Sequence, residues 1–95
     1  MVKHIVFFKL RDNSLSHCQE VQTKLLGMKK NIEVLEHIEV GINFADEERA
    51  YDLALLTDFK DEESLAIYAK HPFHQDIIVY MKQIAISSKV VDYKY

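Results

Sequence analysis

The stretch Val2-Lys-His-Ile-Val-Phe-Phe-Lys-Leu10 carries large apolar side chains at odd and even positions alike. Successive side chains of a β-strand point to opposite faces, so His4, Val6, Phe8 and Leu10 look one way and Lys3, Ile5, Phe7 and Lys9 the other. A sheet built on such a strand has to be covered on both sides. This demand constrains the fold more than any other feature, because 95 residues suffice for one domain over residues 1–95, with one core and a modest share of buried surface.

The remaining elements follow closely, since two glycines and one proline leave little punctuation. From Ser14 to Met28 or beyond, Leu15, Cys18, Val21, Leu25, Met28 and Ile32 recur at three- and four-residue steps, which predicts an amphipathic helix. Gly27 either ends it or thins it for close packing. Residues 35–44 alternate, with Ile38, Val40, Ile42 and Phe44 on one face, and read as a second strand in which Gly41 suggests a bulge. The polar run 45–50 reads as a hairpin loop before a third strand over residues 51–59, with Leu53 and Leu55 on one face and Ala54 and Leu56 on the other. Asp61 suits a helix N-cap, with Glu62 and Glu63 in the first turn where the dipole favours negative charge. Pro72 disfavours helix at His71 but fits the first position of a new helix carrying Phe73, Ile77, Met81 and Ile84. A last strand spans about 86–93.

The order β-α-β-β-α-β is that of a ferredoxin-like α+β fold with a four-stranded antiparallel sheet and helices on one face. The other face would expose Ile5, Phe7, Ala54 and Leu56 as a patch larger than a soluble monomer normally carries. A second copy stacked sheet to sheet covers it, so the expectation is a homodimer in the form of a dimeric α+β barrel.

Composition narrows the partners. A formal charge of −3, with no run of lysines or arginines, leaves no footprint for nucleic acid. The first apolar run is too short for a signal peptide or a membrane span, so no membrane partner and a cytoplasmic location are expected. The single cysteine, Cys18, reads as a small buried hydrophobe in a reducing compartment. No phosphate loop, nucleophile elbow or paired CxxC occurs, the acidic runs lack calcium-loop spacing, and no cofactor or metal is expected.

One cluster carries chemistry: Tyr68-Ala-Lys-His71-Pro72-Phe-His74, where one helix ends and the next begins. His74 would stand third in its helix, where the unpaired N–H groups disfavour an imidazolium. A neutral imidazole serves as a general base, and a phenol one turn before the corner can donate to a developing oxyanion. Tyr68 and His74 are therefore the catalytic candidates, with His71 beside them. His4, Val6, Phe8, Leu53 and Leu55 face the same interior space. The bland alternative packs the Tyr68 ring under the helix, uses His71 as a cap and leaves His74 as a surface or satisfied core residue. His71 and His74 have a spacing compatible with metal ligation, but a helix start splays them apart and nothing completes a site.

Four segments, VKHIVFFKLRD, YDLALLTDF, the corner Y..HPFH and the ending VVDYKY, together resemble the stress-responsive A/B barrel (Dabb) domain family over nearly the whole chain. The resemblance implies a dimeric α+β barrel. It also implies a comparison with plant polyketide cyclases, which close a linear polyketide by intramolecular aldol condensation with a tyrosine and a histidine and no cofactor. Those positions match Tyr68 and His74, and His4 matches a pocket histidine. A further pocket histidine falls at Leu53, and an aromatic lining on the first helix is replaced by Val21 and Leu25, which makes the same substrate improbable. Three functions follow: a homodimer binding a small apolar or carbonyl-bearing molecule, a cofactor-free cyclase-like lyase, or a non-catalytic stress-protective dimer.

Overall fold

Each strand of the computed structural model, which describes residues 1–95, pairs antiparallel with its neighbours. β1 (Val2–Leu10), β2 (His37–Ile42), β3 (Leu53–Phe59) and β4 (Ala85–Lys94) form one sheet in the order β2-β3-β1-β4. The strand rich in apolar side chains on both faces thus lies inside the sheet, as the burial requirement demands. α1 (Leu15–Leu26), the single turn α2 (Met28–Asn31), α3 (Glu62–Lys70) and α4 (Pro72–Ile84) complete the ferredoxin-like fold.

Local chemistry sets the helix boundaries. Ser14 caps α1 by accepting from the His17 N–H, and Asp61 caps α3 by accepting from the Ser64 N–H at 2.8 Å. Gly27 separates α1 from α2 while keeping right-handed helical angles, so the chain runs through it with only a break in the helix. At the corner His71 leaves the helical region and its Nδ1 accepts from the Phe73 N–H at 3.0 Å, with Pro72 at the first position of α4.

Strand ends differ from the sequence pattern for identifiable reasons. β2 stops at Ile42 because the Asn43 side chain bonds both the N–H and the carbonyl of Ala45, turning the chain out of the sheet. Phe44, expected on the inner face, is consequently 99% exposed. β3 begins at Leu53, and just before it the Asp52 carboxylate accepts from the Leu10 N–H at 2.7 Å. No bulge occurs at Gly41, which pairs in register with Ala54; the sheet's irregularity lies between Lys9 and Leu10 opposite β4.

The core fills the space between sheet and helices. Val21, Leu25, Met28, Ile32 and Phe59 are fully buried, and Cys18 packs with them, its thiol pushed up by burial. The opposite face aligns Leu56, Ile5 and Val91 across three strands, with Ala54 and Phe7 paired beside them. Phe7 and Val91 remain 43% and 58% exposed. At one end of this face Lys3 pairs with the buried carboxylate of Asp58 at 3.2 Å, and the Tyr95 hydroxyl donates to the same carboxylate.

Candidate functional site

Between sheet and helices the packing is uneven. A cleft of about 380 Å³ opens where α3 and α4 pass over β1 and β4, a volume within the ordinary range for small-molecule pockets, about 300–1,000 Å³. Its floor is His4, Val6 and Phe8 of β1 with Leu55 of β3, and α4 supplies Ile77, Ile78, Met81 and Lys82. β4 closes one side with Ala85, Ile86 and two serines, Ser87 and Ser88. Tyr68 and His74 stand at one end.

The corner chemistry follows from the cap. Because α3 ends and α4 starts at His71, Tyr68 and His74 are brought together with ring centroids 4.2 Å apart. The His74 Nδ1 lies 3.1 Å from the Ala69 carbonyl oxygen, which can only accept. The proton therefore sits on Nδ1, and Nε2 is left as a free acceptor. Burial pulls this imidazole below its ordinary value, the bond to Ala69 opposes the shift, and His4 and His71 add to it. His74 is thus a neutral base at physiological pH.

His4 completes the end of the cleft, its ring 6.1 Å from that of Tyr68. Its Nδ1 is bonded to the Asp92 carboxylate on β4, directly opposite in register. This pair was not singled out from the sequence, although the shared strand parity of His4 and Asp92 was a usable signal. Tyr68 differs from the expectation. Its hydroxyl donates to the Met28 sulfur at 3.6 Å, inside the core, and burial pushes the phenol well above its ordinary value. A thioether is a weak acceptor, so the ring borders the cleft while the hydroxyl is held by the core.

Four residues expected in the lining lie elsewhere. Val21, Leu25 and Leu53 are at most 2% exposed, in the solid core where α1 meets β2 and β3. They are absent from the cleft because α1 covers the half of the sheet remote from β4. His71 is engaged as the cap of α4 and does not reach the cleft. Conversely Ile78, Lys82, Ala85, Ile86, Ser87 and Ser88 line it without having been named, because periodicity assigns a residue to a face but not to a gap in the packing. No group of histidine, cysteine or acidic side chains is arranged to hold a metal ion. No helix is long and apolar enough to cross a membrane.

A ferredoxin-like α+β domain with helices on one face, an apolar cleft beneath them and a Tyr-His pair at its end defines the class. The chain belongs to the stress responsive A/B barrel domain family, whose model matches residues 2–95. It is 29% identical over 98 residues to an uncharacterized protein of Streptomyces coelicolor, with both chains fully covered. It is similar to a dimeric ferredoxin-like protein of unknown function from Bacteroides fragilis, at 30% identity and a TM-score of 0.80, covering 99% of this chain and 95% of that one. An Arabidopsis thaliana protein shares the fold at 22% identity and a TM-score of 0.88, covering 100% and 95%.

Proposed function

We propose that this chain is a homodimeric small-molecule-binding domain whose site is the cleft between α3/α4 and β1/β4. The observation that carries this reading is the lining itself: aliphatic and aromatic walls, with three polar rings, His4, Tyr68 and His74, gathered at one end. Such a site favours a largely apolar molecule with one carbonyl to accept from the Tyr68 hydroxyl or one hydroxyl to donate to a histidine Nε2. Calorimetric titration with decan-2-one tests it. Saturable binding of one molecule per chain is expected, and a heat of dilution alone would remove the reading.

Dimerisation is supported by the apolar open face around Ile5, Phe7, Ala54 and Leu56, and by the dimeric solved relative. Light scattering at micromolar concentration should return twice the chain mass, and Phe7→Glu should halve it. A monomeric wild type would contradict the proposal.

A second reading, a cofactor-free lyase, is favoured by the His74 tautomer. With Nδ1 bound to Ala69, Nε2 can take a proton from the carbon beside a carbonyl, leaving an enolate. The oxyanion would need a donor; Tyr68 supplies one only by exchanging its bond to Met28 for the stronger bond to oxygen. Deuterium incorporation next to the carbonyl of decan-2-one in heavy water, lost in His74→Asn, would support the lyase. Absence of exchange despite binding leaves a binding protein.

A further inference from the structure

The cleft is polarised from end to end. At one end His4 and His74 lie either side of Tyr68, with the Asp92 carboxylate bonded to His4. Along the roof, His74, Ile78 and Lys82 fall at four-residue steps of α4, one face of the helix, so His74 and Lys82 are about 12 Å apart along the axis. Along the floor, His4, Val6 and Phe8 repeat on one face of β1 over about 13 Å. Phe8 pairs with Ser88, and Leu10 pairs with Ala85, the residue that follows α4. Roof and floor therefore run in the same direction, and the end opposite the histidines is formed by Lys82 and Ser88.

Those two groups are unused by the protein. None of the chain's five ion pairs involves Lys82. Ser88 forms no side-chain hydrogen bond, whereas its neighbour Ser87 is matched with Tyr51. Between the ends the walls are aliphatic: Val6, Leu55, Ile77 and Met81. A carboxylate at the histidine end would lie near Asp92 and face two imidazoles whose Nδ1 protons are already committed. At the other end it would meet an ammonium and a hydroxyl. One ammonium matches one negative charge.

Resting on the reading of the cleft as a binding site, we infer that its ligand is a linear oxo-carboxylic acid of about ten chain atoms, with its carbonyl between the histidines and accepting from the Tyr68 hydroxyl in place of the Met28 sulfur, its apolar chain along α4 and its carboxylate on Lys82 and Ser88. The site discriminates by charge at one end and by hydrogen bonding at the other.

Calorimetric titration of the full chain with 9-oxodecanoic acid, its methyl ester and decan-2-one tests this. The acid is expected to bind roughly five- to tenfold more tightly than the ester. In Lys82→Gln that ratio should fall to about one, and in Lys82→Arg it should persist. The ratio is read within each variant, so a change in folding does not mimic the effect. Equal affinity for acid and ester, or a preference surviving in Lys82→Gln, overturns the assignment of the anionic end while leaving the cleft as a ketone site. Binding of none of the three compounds removes the cleft reading and this inference with it.

Discussion

The space beneath the helices divides into two halves built from the same layers, one solid and one hollow. Where α1 lies on β2 and β3, Val21, Leu25, Val40 and Leu53 interlock with little or no exposure. Where α4 lies over β1 and β4, comparably apolar residues border a cleft. The difference lies in the strand at each edge. β2 supplies Ile38, Val40 and Ile42 to the interior and α1 packs along it, while α4 approaches β4 at few points and leaves Val90, on the cleft-side face of β4, 59% exposed. Hydrophobic character therefore decides what can be inside, and how closely a helix covers each edge strand decides whether the inside is full.

Removing similar groups from each half should have very different costs. Leu25→Ala should cost about 2–5 kcal/mol, because it leaves a void among fully buried neighbours. Ile78→Ala, at a half-buried side chain that already borders open space, should cost about 1 kcal/mol. Urea denaturation of both variants measures the pair. Equal costs would mean that the hollow half closes in solution.

A second, smaller contrast concerns protons. His74 is held below its ordinary value of 6.5 chiefly by burial, so the unfolded chain takes up this proton before the folded one as pH falls. The stability contributed by the neutral form is complete above about pH 6.5 and is lost as pH falls through the lowered folded value. His74→Gln should flatten the pH dependence of the urea midpoint in that window. An unchanged slope would show that the imidazole is well solvated.

The smallest effect is expected at Tyr68. Tyr68→Phe removes only a bond to a thioether and keeps the buried ring, so stability should change by less than about 1 kcal/mol. A much larger loss would mean that the phenol carries a stronger bond than the one to Met28.

The contrast between the halves also marks how far the sequence was legible. Alternation in Val2–Leu10, the helical stripe through Cys18, Val21 and Leu25, and the Pro72 corner sufficed for element order and fold class. The same regularity placed Tyr68, His74 and His4 together. Val21, Leu25 and Leu53 could not be separated from true lining residues, because burial in a solid core and burial beside a cavity have one hydrophobic pattern. Phe44 was misplaced because the Asn43 side chain interrupts an alternation that periodicity would continue. Lys82 and Ser88 look like ordinary surface residues until α4 and β4 are set side by side.

If one half of the interior takes up ligand and the other does not, the two halves respond differently when a ligand is added. Methyl NMR of the protein titrated with decan-2-one tests this most directly. Shifts are expected only at methyl groups of Val6, Leu55, Ile77, Ile78 and Met81, with Val21, Leu25 and Val40 unmoved. Shifts spread equally over both halves, or absent from both, would contradict it.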